Sequence, residues 1–235
     1  MIRTALGFAI VLAVFIIGPP FLPATFGPYP LLRWGDVLDL ATPFVVLPVA
    51  WLLYVGSCGQ PLRLREGLAF VALGGLFAMG QGMHLAANAI GHLVPEGSGD
   101  LQVLTHDLDE VVSHFIWHGA LIGLSALIVV RSLGNTDWTD AATSPRSLAS
   151  MTLAMVIFGF TFFAMVVEGG TALIGLPGAA LIAAVGRSLA GRSMFRRPAV
   201  ALFSGGYLVA LLLCLIWAAM NGWQLVEFSK AGLIQ

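Results

Sequence analysis

Long apolar runs alternate with short polar breaks along the whole chain. A helix needs roughly 20 mainly apolar residues to cross about 30 Å of hydrocarbon, and the pattern predicts seven such helices. The predicted fold class is an all-α, polytopic membrane protein: a bundle of about seven transmembrane helices that forms a single domain over residues 1–235. The predicted spans are 5–25, 38–57, 67–93, 106–130, 149–168, 171–190 and 198–221.

The first predicted span has a second interpretation. Arg3 precedes a short apolar core, as in a secretory signal peptide. We favour a transmembrane span, because Pro19-Pro20-Phe21-Leu22 continues the apolar run and no clean small-x-small cleavage site follows. The first span is therefore counted with the other six.

Composition agrees with this class and argues against others. Hydrophobic residues make up 58% of the chain and charged residues 10%, whereas a soluble domain carries about 25% charged residues. The formal net charge of −1 argues against nucleic acid as a partner, because phosphate binding takes clustered lysine and arginine. The expected partners are membrane lipids. Cys58 and Cys214 lie too far apart in sequence to form a CxxC metal or redox pair.

Basic residues are concentrated on one side of the predicted bundle. Nine of the eleven fall at the N-terminus or in the loops after the second, fourth and sixth spans, and only Arg33 and Lys230 fall on the other side. Because such loops remain in the cytoplasm, we expect a protein of the cell membrane with a cytoplasmic N-terminus and an external C-terminus. The nine residues are Arg3, Arg63, Arg65, Arg131, Arg146, Arg187, Arg192, Arg196 and Arg197.

All five histidines lie within 35 residues, on the hairpin of the third and fourth spans. On the third span three polar residues recur at every fourth position. At about 100° per residue they drift by only about 80° in total, so that they share one helical face. These three residues are His84, Asn88 and His92.

The fourth span carries a second polar face. By the same helical arithmetic, four of its polar residues fall within about 80° of one another. His106 and Asp109 are predicted to point away from this face, toward the outer water. The four residues of the face are Asp107, Glu110, His114 and His118.

The two polar faces are expected to meet. The connection between Leu93 and Thr105 is short, which makes the two helices antiparallel neighbours. Small residues flank the histidines on the third span and allow helices to approach closely in a membrane; they are Gly80, Ala87 and Gly91. Matching the two faces by depth predicts these pairs: His92 with Asp107 or Glu110, Asn88 with His114, and His84 with His118.

A metal site is the favoured interpretation of this cluster. His114 and His118, at positions i and i+4, have the spacing of two ligands on one helical face. Nitrogen and oxygen ligands suit zinc best here, with iron or copper as alternatives. Glu168 precedes a tight Gly-Gly turn at a matching depth. The predicted metal ligands are His84, His92, Asp107, His114 and His118; Glu110 and Glu168 are the predicted acid/base groups, and Asn88 is the predicted orienting group beside the cofactor.

Three other interpretations remain open at this point. The polar residues can form a packing seam, in which they only hydrogen-bond one another. His84 and His118 can serve as the axial ligands of a b-type haem, one from each helix. The same groups can also line a proton or cation pathway, because intramembrane ionisable residues are costly and usually functional.

Seven helices with intramembrane histidine, serine and acidic residues resemble the superfamily of alkaline ceramidases and adiponectin receptors, which are zinc-dependent lipid amidases. The resemblance lies in architecture and residue type and covers only the hairpin from His84 to His118. That family places a serine and a histidine four residues apart and a histidine pair on its last helix. Here Ser113 and His118 are five apart and the last span has no histidine, so the resemblance implies an enzyme but transfers no residue roles.

The sequence as a whole predicts a metal-dependent membrane enzyme, a hydrolase or an oxidoreductase. Its substrate is expected to be a lipid or another apolar molecule near the outer leaflet, because the polar cluster lies toward that side of the predicted bundle. The alternative is a membrane redox protein with haem or copper, or an ion or proton transport protein, that uses the same histidines.

Overall fold

The computed structural model describes residues 1–134 and 144–233. Seven main helices account for most of these residues, and the last six are long and apolar enough to cross a membrane. The predicted all-α, multi-pass class is confirmed. The helices are α1 (Ile2–Ile17), α2 (Trp34–Gly56), α3 (Leu64–Gly91), α4 (Asp100–Leu133), α5 (Pro145–Glu168), α6 (Ala172–Ala190) and α7 (Pro198–Met220).

Helix α1 is shorter than the predicted span 5–25. It ends at Ile17 and is followed by a 3-10 turn at Pro19–Phe21. Proline has no amide hydrogen and disfavours the α conformation of the residue before it, so the helix stops although the apolar run continues. With 16 residues, α1 is about 24 Å long at about 1.5 Å per residue. A two-stranded antiparallel hairpin, β1 (Thr25–Phe26) and β2 (Tyr29–Arg33), then leads into α2.

The helices alternate in direction, and the bundle therefore has two chemically different ends. We call the end where α3 finishes and α4 begins the histidine end. The opposite end, where α4 finishes at Leu133, is the arginine end. There Arg197 donates from Nη1 to the backbone oxygen of Leu133 over 3.0 Å, which ties the start of α7 to the end of α4.

Arg131 fastens three helices together at the arginine end. Its side chain is only 6% exposed, and Nη1 lies 2.7 Å from Glu66 Oε2. Nε donates to the Tyr54 backbone oxygen over 3.2 Å, and Nη2 donates to that of Gln60 over 2.9 Å. These contacts join α2, α3 and α4. They also pair the Glu66 carboxylate with a buried positive charge.

An aromatic cluster fills the centre of the bundle between α1, α5 and α7. Phe8 packs on Phe203 with ring centroids 5.7 Å apart, and Phe158 contacts Phe203 and Tyr207, each at 5.2 Å. The Tyr207 hydroxyl donates to Ser125 Oγ over 2.9 Å and so links α7 to α4. Apolar packing therefore holds the helices below the histidine end, where the polar residues gather.

Candidate functional site

The site is built on the close approach of α3 and α4. A Cβ on Gly80 would lie 2.8 Å from both the Cβ and the backbone nitrogen of Trp117, and 2.9 Å from the backbone oxygen of Ser113. A Cβ on Gly91 would lie 3.4 Å from Thr105. Any side chain at Gly80 would therefore push the helices apart. The prediction that small residues bring these two helices together is confirmed.

The upper part of α4 is not a regular α-helix. Residues Asp107–Ser113 form a π-helical segment, whose wider turn rotates each residue by less than the α-helical angle. As a result Asp109 turns toward α3, and its Oδ1 lies 2.7 Å from His84 Nδ1. The prediction that Asp109 points away to water is wrong, because it assumed α-helical rotation throughout. Asp107 instead is exposed.

Three histidine rings lie side by side at the junction of α3 and α4. The centroids of His84 and His114 are 4.9 Å apart, and those of His114 and His118 are 5.3 Å apart. Trp117 packs against all three rings at 4.9 to 5.9 Å. The observed neighbours therefore differ from the pairs that were predicted by matching depth on the two helices. His84, which was paired with His118, lies next to Asp109 and His114.

In each of the three rings, Nδ1 is the nitrogen that lies close to an oxygen atom. His84 Nδ1 contacts Asp109 as described, and His114 Nδ1 lies 3.0 Å from the backbone oxygen of Glu110. His118 Nδ1 lies 2.7 Å from Thr171 Oγ1, at the start of α6. Because Nδ1 faces an oxygen atom in every ring, Nε2 is the nitrogen that remains for a ligand.

The rings face a cavity of about 310 Å³. Its lining includes the three histidines and both predicted acid/base groups, Glu110 and Glu168. The rest of its wall is mainly apolar and comes from the end of α1, from α5 and from the segment after α7. The structure thus brings five of the eight predicted site residues to one cavity.

The turn between α5 and α6 presses against the histidines. A Cβ on Gly169 would lie 2.6 Å from His118 Cε1 and 3.1 Å from His114 Nδ1. Only glycine leaves room for the turn at this distance. The same turn carries Thr171, so that the chain after α5 both packs against the rings and hydrogen-bonds one of them.

Glu168 already has partners within the chain. Its Oε2 accepts from the backbone nitrogen of Phe228 over 2.7 Å and from that of Ser229 over 3.3 Å. Trp217 Nε1 donates to the backbone oxygen of Val226 over 2.8 Å. These bonds hold residues 223–233 against the histidine end. Glu168 therefore fastens the segment after α7, a contact that the sequence did not predict.

Two predicted residues of α3 belong to a different cavity. Asn88 and His92 line a polar cavity of about 270 Å³ beside α2. A drift of about 40° per four residues turns them progressively away from His84, and α3 ends at Gly91, before His92. The predicted ligand Asp107 lines neither of the two cavities. His92, Asp107 and Asn88 are thus not gathered with the other histidines.

A buried carboxylate that was not among the predicted site residues lies behind the site. Asp39 on α2 is 7% exposed and accepts from Gln81 Nε2 over 3.1 Å. Asp39 also lines the polar cavity of Asn88 and His92. The sequence could have indicated Gln81 as part of the site, because it is a polar residue three positions before His84 in a mostly apolar helix. Nothing in the sequence indicates Thr171, which is 53 residues from His118.

Across residues 1–134 and 144–233, no three histidine, cysteine, aspartate or glutamate side chains are gathered tightly enough to hold a metal ion as they stand. Comparison with known proteins adds no assignment: no family model, no curated protein and no solved structure matches this chain. The geometry of the cavity is therefore the basis for any statement about function.

Proposed function

We propose that this chain is a membrane enzyme that binds a divalent transition metal, zinc in the first place, through Nε2 of His84, His114 and His118. The observation that carries the proposal is that Nδ1 of each ring meets an oxygen atom. Histidine ligands of metals almost always donate their other ring N–H to a carboxylate, a carbonyl or a water, which fixes the tautomer and aims the ring. If these residues only packed against one another, there would be no reason for the same nitrogen of all three rings to lie beside an oxygen atom.

The three ligands must rearrange to meet at one ion, because the described side chains do not form a metal cluster as they stand. Adjacent ring centroids lie 4.9 and 5.3 Å apart, and the proposal requires rotation about the side-chain torsions to bring the three Nε2 atoms together. A haem is disfavoured, because a porphyrin must separate its two axial histidines, whereas these rings pack on one another and on Trp117.

Glu110 is the proposed acid/base group of the reaction. It lines the cavity, and its carboxylate is 44% exposed and 3.7 Å from His114 Nδ1. A metal ion would polarise a carbonyl group or lower the pKa of bound water, and a carboxylate within reach can move the proton. The apolar remainder of the cavity suits a lipid or another apolar substrate.

Purified protein prepared without chelators is expected to contain about one metal ion per chain and no haem absorption band, because three histidine ligands suit zinc. Glu110→Gln is expected to keep the fold and to retain the metal, because the change preserves shape and removes only the charge that the reaction uses. Metal content and thermal stability are measured on the same preparation.

The outcome separates the metal site from a packing seam. In a seam, wild type would contain no stoichiometric metal, and that result would contradict the proposal. The stability of Glu110→Gln then shows what the charge contributes to packing, because burying a charge costs more than burying an amide. Asp107→Asn, at an exposed position three residues away, is the matched control and should change neither quantity.

An ion or proton pathway is the second candidate, and one observation favours it. Asp39 and His84 line different cavities, and Gln81, three residues before His84 on α3, hydrogen-bonds Asp39, so that polar groups of α2 and α3 lie between the two spaces. Such groups can pass a proton between them. Protein without metal that nevertheless moves protons across a vesicle membrane would favour this candidate over the enzyme.

The proposed orientation places the histidine end outside the cell. Nine of the eleven basic residues lie at or near helix ends that form the arginine end, and positive residues favour the cytoplasmic side. Reporter fusions at Arg146 and after Gln235 should therefore report opposite sides, inside and outside respectively. The same side for both would mean that the spans between the two positions are miscounted, so that one of α5, α6 and α7 does not cross the membrane.

A further inference from the structure

One face of α5 passes from apolar to charged along the histidine cavity. Phe160, Ala164 and Glu168 are spaced at i, i+4 and i+8 and all line the cavity. Eight residues of helix rise by about 12 Å. The cavity thus runs from the charged rim at Glu168 down into the apolar part of the bundle.

The apolar part of the cavity wall comes from two helices. Ile16 and Ile17 at the end of α1 and Phe21 in the turn after it line the cavity together with Phe160 and Met165 of α5. Phe21 is 69% exposed and Phe160 is 49% exposed, although both line the cavity. The cavity therefore reaches the outer surface of the bundle between α1 and α5. That surface is the one that hydrocarbon covers in a membrane, because α5 is among the most apolar spans.

The rim of the cavity is polar and largely covered by the segment after α7. Phe228 lines the cavity while packing on Phe163 and Trp217, with ring centroids 5.5 and 5.2 Å apart. A third cavity, of about 280 Å³, shares Glu110, Glu168 and Gly169 with the histidine cavity and adds Glu227 and Lys230. A molecule in this site would have its polar part at the rim and its apolar part toward the bilayer.

From this arrangement we infer that the cavity binds one acyl chain, which enters sideways from the bilayer between α1 and α5 and brings its polar head to the histidines. The inference rests on the proposed function and names its substrate class: single-chain amphiphiles. A cavity of about 310 Å³ is at the lower end of the range for ligand sites, about 300–1,000 Å³, so one chain fits and two do not.

The test is photolabelling of chelator-treated protein in lipid nanodiscs with a fatty acid that carries a diazirine on its chain. Peptide mass spectrometry should place the label on α5 near Phe160 to Met165 or on the end of α1. Ala164→Trp fills the cavity and should lower labelling by about tenfold or more, which corresponds to about 1.4 kcal/mol of binding free energy. Val156→Trp, on the exposed surface of α5 one turn below Phe160, is the matched control and should label like wild type.

Competition by unlabelled lipids shows which class of lipid supplies the bound acyl chain. Unlabelled fatty acid or lysophospholipid should reduce the labelling, whereas a two-chain phospholipid should not. Equal labelling of the Ala164→Trp and Val156→Trp proteins, or competition by the two-chain lipid, would overturn the inference. If Ala164→Trp does not fold, Ala164→Leu decides, with a smaller loss expected. Because the protein is free of metal in this assay, the labelling does not depend on metal binding, so failure of the metal proposal and failure of this inference are distinguishable.

Discussion

Replacing His114 or His118 by alanine is expected to abolish metal retention. Loss of a partner that only orients a ligand typically weakens metal binding about 10–100-fold, and loss of one of three ligands must cost more than that. The measurement is metal content per chain after dialysis, for His114→Ala, His118→Ala and wild type side by side. Thermal stability on the same samples reports whether each variant is folded.

Thr171→Val is expected to weaken metal binding without abolishing it. The threonine hydroxyl lies 2.7 Å from His118 Nδ1, and valine keeps its shape while removing that oxygen, so an affinity loss of about 10–100-fold is expected. His92→Ala is the control, because His92 lines the other cavity. Metal loss in His92→Ala with retention in His114→Ala would contradict the assignment and move the site to the second cavity.

Replacing Arg131 by alanine is expected to produce the largest loss of stability in the chain. The guanidinium is almost fully buried and bonds the Glu66 carboxylate and two backbone oxygens. Removing one partner of a buried ion pair costs about 3–5 kcal/mol, because the remaining charge has no counter-charge. Glu66 is 31% exposed, so the lower part of that range is expected. Unfolding in detergent, followed by circular dichroism, measures the change.

Two further variants show how much of the stability lost in Arg131→Ala comes from its buried contacts. Arg131→Lys should recover part of the stability, because lysine restores the charge but not the planar fork that reaches three oxygen atoms. Arg65→Ala removes an exposed arginine near the same end and should change the free energy of unfolding by less than about 0.5 kcal/mol. Equal stability of Arg131→Ala and Arg65→Ala would mean that the network contributes nothing measurable.

The number, type and approximate bounds of the helices were predictable from the sequence. Apolar runs long enough to span hydrocarbon are a strong one-dimensional signal, and six of the predicted spans correspond to helices long and apolar enough to cross a membrane. The segregation of arginines to one end was also predictable, because it follows from the alternation of the helices. The early end of α1 was missed, since hydropathy alone ignored the break at Pro19 and Pro20.

The core of the candidate site was predictable in part. The spacing of His114 and His118 placed them on one face of one helix, and the short connection to the preceding span brought His84 beside them. These are local inferences, which need only helical geometry. The same arithmetic failed for Asp109, because seven residues of α4 adopt π-helical geometry, and a single change in residues per turn redirects every side chain within it.

Only the tertiary structure decided which groups hold the histidines. Thr171 contacts His118 across 53 positions, and the backbone of Phe228 binds Glu168 across 60. Neither contact produces a periodic pattern in the sequence, because each depends on how separate helices are packed. The sequence by itself determined a membrane bundle with a polar hairpin, since apolar length and helical period are properties of single segments. The cavity, its apolar entrance and the partners of each ring arise from distances between segments, which only packing sets.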